Sequence, residues 1–198
     1  MQTSRKLFDV DDDPFDVPSC PATYEIDPTH ASASFKVRHL MVSSIRGQLG
    51  RVTGVLELDP DDIKLSCVEA TIDVTAVTTQ HVDRDAHLRS PEFLDVARFR
   101  TITFRSTRVD ESGRGELFVA GDLTIRGTTK QVLLLVQLTD DVRDPWGNTR
   151  RGVTATTRID RKDFGVSFHA VMDAGGLVVG DTVDITIELE LIRKGVTP

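Results

Sequence analysis

The residues best placed to do chemistry lie in HVDRDAHLRS, where His81, Asp83, Asp85 and His87 occupy every second position. On a strand these four share one face, and two imidazoles with two carboxylates make a Zn²⁺ donor set. On a helix, His81 pairs with Asp85 and Asp83 with His87 at i,i+4, and the common face is lost. The surrounding DRDAHLRSPEFLD favours the helix. Val82, Leu88 and Phe93 do not alternate, and Ser90-Pro91 suits the start of a second helical turn. No metal ligand set is therefore assigned. Ser90, His87 and Asp85 contain the residue types of a hydrolase triad, but no strand-turn-helix nucleophile elbow precedes them. Asp163-Phe164-Gly165 matches a kinase Mg²⁺ motif without a Gly-rich loop or enough chain for two lobes, and is read as a turn.

The elements that must hold these residues are strands. From Tyr24 onward the text alternates with period 2 and is rich in Val, Ile, Thr and Phe. A short strand is expected at Tyr24 to Ile26, and a second carries Ala33, Phe35, Val37 and His39 on one face. A single run covers Gly47 to Asp59, with bulges or curvature at its glycines. Further faces are Val68-Ala70-Ile72-Val74, Ile102-Phe104-Ser106, Leu117 to Ile125, Val132 to Leu138, Val153 to Ile159 and Val183 to Leu191. About eight strands with no βαβ crossover give an all-β fold, and their length favours an antiparallel barrel over a sandwich. Small residues on the inward faces (Ala33, Ala70, Ser106, Gly121, Ala155 and Thr157) argue for a cavity rather than a filled interior. The short helical insertion falls near residues 81–95, in the one long gap between strands. Trp146, in the DPWGN turn, is expected to pack over a barrel end.

The chain of 198 residues carries 24 Lys and Arg against 31 Asp and Glu, a net charge of −7, which lacks the basic footprint of a nucleic-acid binder. Cys20 and Cys67 make no disulfide framework. Neither a secretory apolar region nor a run long enough to span a bilayer is visible, so a cytoplasmic setting is the expectation. Residues 1–22 read as a flexible extension with Phe8 and Phe15 as candidate anchors, and residues 23–194 as one barrel domain.

The motifs taken together resemble the YceI family of lipocalin-like, polyisoprenoid-binding proteins. The resemblance rests on YEIDPTHASASFKVRHLMVS, RGQLGRVTGVLELDP, DRDAHLRSPEFLD, ITFRST, GDLTIRGTTKQVLL, DPWGNTRRGVTATTRIDRKDFGV and VGDTVDITIELE, in that order from Tyr24 to Glu190. It implies an eight-stranded antiparallel barrel around a long apolar tunnel, a polyprenyl or other long-chain amphiphile as ligand, and a homodimer. Two departures stand out. Leu49 occupies a position where Phe is common, and Ala76-Val77-Thr78-Thr79 replaces a more usual Ser-and-Thr segment. Both imply a pocket of different shape.

The expected tunnel lining is Phe35, Val37, His39, Ile72, Phe104, Val119, Leu134 and Ala155, with Phe35, Phe104 and Phe168 setting its length. Arg84, His87 and Arg89 are candidates for meeting a polar head group, because a guanidinium fork matches a phosphate. Asp85, Leu88 and Ser90 belong to the RDxHLxS element as scaffold, an ion-paired short helix closing the barrel. No catalytic residue and no cofactor is assigned. The alternative is an enzyme working on a hydrophobic intermediate in the same cavity, with His39, His87 or Asp85 as acid or base.

Overall fold

The computed structural model describes residues 21–113, 115–169 and 178–195. The expectations about Phe8, Phe15 and Cys20 lie outside them. Ten strands and one helix follow in the order β1 (Ala22–His39), β2 (Ser43–Gln48), β3 (Arg51–Leu58), β4 (Cys67–Asp73), α1 (Val82–Arg89), β5 (Thr101–Glu111), β6 (Glu116–Ile125), β7 (Thr128–Leu138), β8 (Val142–Arg143), β9 (Thr149–Asp160) and β10 (Val179–Arg193). Eight of them close a barrel in the order β1-β3-β4-β5-β6-β7-β9-β10, sealed where β10 pairs with both β9 and β1. Every pairing is antiparallel, β2 adds to β1, and β8 adds to β9. Closure removes the free sheet edges that a flat sheet of this length would leave.

Alternation fixes which side chains face the lumen. On β10, Ile185, Ile187, Leu189 and Leu191 point inward while Thr186, Glu188 and Glu190 take the other face. Ile185 lies opposite Phe35 on one side and Thr157 on the other, so neighbouring strands present their apolar positions at one level. On β5 the phase changes at an irregularity between Ser106 and Arg108, and Val109 follows Ile102 and Phe104 into the lumen. Ser106, expected on the inner face, instead accepts a hydrogen bond from the Val68 N–H at 2.9 Å and ties β5 to β4.

Three local expectations need correction. The two strands expected at Tyr24–Ile26 and Ala33–His39 are one strand with an irregularity between Ile26 and Ala31. Asp27 stabilises that kink by accepting from Thr29 N at 3.0 Å and Thr29 Oγ1 at 2.6 Å. The single run from Gly47 to Asp59 is broken into β2 and β3 at Gly50. There φ is +143°, and a Cβ would stand 1.9 Å from the Asp73 carbonyl oxygen. Trp146 is 80% exposed and does not cover the barrel. The Asp144 carboxylate satisfies Trp146 N and Asn148 N, so the turn holds without help from the indole.

Helix α1 has two turns, capped by His81 Nδ1 at the Arg84 N–H, and stops at Ser90. Residues 91–98 continue as turns rather than a second helix, with Asp95 N bonded to Ser90 O. No helix among the described residues is long and apolar enough to cross a membrane.

Candidate functional site

The barrel encloses two adjoining apolar chambers. The larger is walled by residues such as Ile72, Phe104, Val119, Leu134 and Ala155. Among the described residues its only polar side chains are Ser66, Cys67 and Thr157, and all three are engaged. Thr157 Oγ1 donates to Leu133 O at 2.8 Å, Ser66 Oγ accepts from Asp59 N at 3.0 Å, and Cys67 Sγ lies 3.5 Å from Glu57 Oε2. Burial and the Glu57 carboxylate push the Cys67 thiol above its ordinary pKa, which suppresses the nucleophilic thiolate. Among the described residues no charged side chain lines this chamber.

The wall stays open because of one cross-strand pair. Phe104 sits diagonally across from Gly121, and its ring edge fills the space a Cβ there would take, 2.4 Å from Cζ. The ring covers the glycine instead of projecting across the lumen. Phe104 therefore does not set the tunnel's length, contrary to the expectation. Phe168 stacks on Phe93 at 4.9 Å and lines neither chamber.

The smaller chamber lies beneath α1 and is lined by Phe35, Val37, Val77, Leu88 and Phe93 among others. Its one charge is Arg161, only 5% exposed. That guanidinium donates to Val166 O at 2.7 Å, Gly180 O at 3.0 Å and Asp181 Oδ1 at 2.9 Å. It closes the chain around the 161–166 turn, leaving the chamber apolar in character.

The RDxHLxS residues separate by role. Asp85 is buried and takes Thr78 Oγ1 at 2.7 Å, Thr79 N at 2.7 Å and Thr79 Oγ1 at 2.6 Å. It binds threonines rather than forming the expected ion pair. The Thr79 and Thr78 hydrogen bonds hold its carboxyl down at about 2. Arg84 reaches Thr79 Oγ1 and Thr79 O, and Arg89 reaches Thr75 O and Val77 O. Residues 75–79 have few sheet partners, and these side chains satisfy their carbonyls. Neither arginine lines a chamber.

His87 bonds Glu92 and packs edge-on against Phe93 at 4.8 Å and Phe168 at 5.0 Å. Leu88 alone of the element enters a chamber. Ser90 ends the helix, its Oγ accepting from Glu92 N at 3.3 Å. His39, expected in the lining, lines neither chamber. The register of β1 against β10 shifts between Val37 and His39, and Leu40 and Met41 turn the chain with positive φ directly after.

A polar cluster that sequence reasoning missed lies at the β1 kink. Asp27 Oδ2, His30 Nδ1 and Glu190 Oε2 approach within 4.8 Å of one another, a spacing that could suit a cation. Arg150 occupies that role: its guanidinium donates to Asp27 and Glu190, each at 2.9 Å, and to Asp144 at 2.8 Å. Hydrogen bonds from Thr29, His30 and Arg150 keep Asp27 well below the usual carboxylate range. The local signal was the Asp-x-Thr spacing; the partners come from β9 and β10.

An antiparallel eight-strand barrel around a lumen walled by aliphatic side chains defines a lipocalin-like barrel. Comparison with known proteins agrees. A model of the YceI-like domain matches residues 24–191. A UPF0312 protein of Vibrio cholerae is 38% identical over 175 residues, covering 87% of this chain and 88% of the relative. One from Shewanella baltica is 36% identical over 177 residues, covering 88% and 87%. The chain belongs to the YceI-like family.

Among solved structures, Burkholderia cenocepacia BcnA superposes with a TM-score of 0.73 at 19% identity, over 83% of this chain and 98% of that one. A polyisoprenoid binding domain from Saccharophagus degradans, implicated in plant cell wall breakdown, superposes at 0.62 with 16% identity, over 86% and 98%. These two share the fold.

Proposed function

We propose that this protein binds and carries a long-chain amphiphile, of the polyisoprenoid or isoprenoid quinone class, with its chain inside the barrel. The observation that carries the reading is the larger chamber, walled by apolar side chains, whose few polar groups already have partners. Such a space rewards an apolar chain and offers nothing to a polar solute. Removing about 400 Å² of apolar surface from water contributes on the order of 10 kcal/mol at ~25 cal/mol/Å², before association losses. A structural neighbour that is a polyisoprenoid binding domain points the same way. The acid-base candidates His39, His87 and Asp85 all lie outside both chambers, which gives the enzyme alternative no support.

Protein purified without detergent, weighed intact and then extracted with organic solvent, tests the reading. An apolar long-chain molecule in the extract is expected, and repeated preparations with none, together with no uptake of added prenyl alcohol, would refute it. A cytoplasmic setting and a homodimer complete the proposal. Cell fractionation checks the first, and light scattering at micromolar protein checks the second.

A further inference from the structure

Four side chains line both chambers: Leu49, Ile102, Ile125 and Ile185. They come from the β2–β3 connection, β5, β6 and β10, which stand around the barrel's circumference. Each is nearly buried, at 5 to 8% exposure. All are branched aliphatics, so the narrowing between the chambers has no polar group on it. We infer that these four form a collar that measures chain length: the apolar tail fills the larger chamber and its end is stopped at the collar. The inference rests on the lipid-binding reading above and deepens it by naming the residues that set which ligand fits.

The geometry gives the measure a scale. Along β10 the larger chamber runs from Ile185 to Leu191, and the smaller from Ile185 back to Val179. At the rise of an antiparallel strand and the tilt of a closed barrel, each span is about 15 Å along the axis. Of the rings that might have set the length, Phe104 is drawn to the wall over Gly121, while Phe35 pairs with Ile185 at the collar's own level and faces the smaller chamber. The three isoleucines also suit a stop, since two heavy substituents on Cβ leave few rotamers through which to swing aside. Cutting collar side chains back to methyl should join the chambers and add about 15 Å of depth, on the order of three isoprene units.

The test uses the whole chain and a series of all-trans prenyl alcohols of increasing length, competed against one fluorescent long-chain fatty acid. Wild type is expected to show an affinity maximum at one length and a loss of tenfold or more beyond it. Ile102→Ala with Ile185→Ala should move the maximum to alcohols about three units longer. Leu134→Ala removes as much bulk as either single collar change, from the chamber wall away from the collar, and should leave the maximum in place. If the double variant does not fold, Ile102→Val with Ile185→Val should move the limit in the same direction by a smaller step. An unchanged maximum in the folded collar variants, or an equal shift in Leu134→Ala, overturns the collar. Failure of wild type to bind any prenyl alcohol defeats the lipid-binding reading instead, so the two failures are distinct.

Discussion

Gly121→Ala puts a single methyl group against the Phe104 ring on the lumen wall. An ideal Cβ at residue 121 lies 2.4 Å from Phe104 Cζ and 2.5 Å from the Arg105 carbonyl oxygen. The ring can turn away, but only toward the larger chamber; the carbonyl belongs to β5 and moves only with its strand. Overpacking of this kind costs about 1–3 kcal/mol. A domain of this size loses about 2–4 °C per kcal/mol, so a cost near 2 kcal/mol should lower Tm by about 4–8 °C. The displaced ring also occupies lumen, and affinity for a fluorescent long-chain fatty acid should fall at least severalfold. Thermal and urea unfolding measure the first effect, and titration the second. A cycle with Phe104→Leu separates the two clashes: with the ring gone, Gly121→Ala should cost less, giving a coupling of about 1 kcal/mol. Additive changes in the cycle, or wild-type Tm and binding in Gly121→Ala, would refute the packing described for Phe104.

Arg161→Met removes a buried guanidinium from Val166 O, Gly180 O and Asp181, while Lys162, 2.7 Å from Asp181, keeps that carboxylate paired. Urea unfolding should show a loss near the low end of the range for breaking a buried pair, about 3 kcal/mol. Asp85→Asn should flatten the acid limb of the stability curve. The carboxyl sits at about 2 when folded against a reference of 3.8, so its contribution is full above 3.8 and is lost as pH falls through about 2. Unfolding free energies measured from pH 5 down to pH 2 should therefore fall less steeply in the variant. Asp27 and Asp144, also held low, retain part of the slope. His87→Ala loses two edge-on ring contacts and should lower Tm through a cost of about 1 kcal/mol. Ligand retention in that variant should match wild type, since His87 faces neither chamber.

Much of the barrel was legible because a half-buried strand writes itself in period 2. Val183 to Leu191 and Leu117 to Ile125 could be placed from alternation alone. The break at Gly50 could not, since its cause is a contact with Asp73, which lies on a different strand. Merging of the first two strands depended in the same way on Asp27 meeting Thr29, His30 and Arg150. Ile72, Phe104, Val119, Leu134 and Ala155 sit on the larger chamber where the pattern put them, but its division from the smaller one was hidden. A collar built from four separate elements is a product of barrel stagger, which alternation along any single strand does not encode. Charge was the least readable signal. Arg84 and Arg89 had the chemistry to meet a phosphate, yet the carbonyls of Thr75, Val77 and Thr79 claim them first.

The central claim is that the larger chamber holds an apolar chain. Ala155 lies on its wall, opposite Val136 and Ile187 on the neighbouring strands, with no room taken by its methyl beyond the wall itself. Native mass spectrometry of wild type beside Ala155→Phe, both purified without detergent and both checked for strand content by circular dichroism, tests the claim directly. An added mass that organic solvent removes is expected on wild type, and is expected to be absent from a folded Ala155→Phe. The same mass on both proteins would contradict the claim, because the ligand would then lie elsewhere than in the lumen.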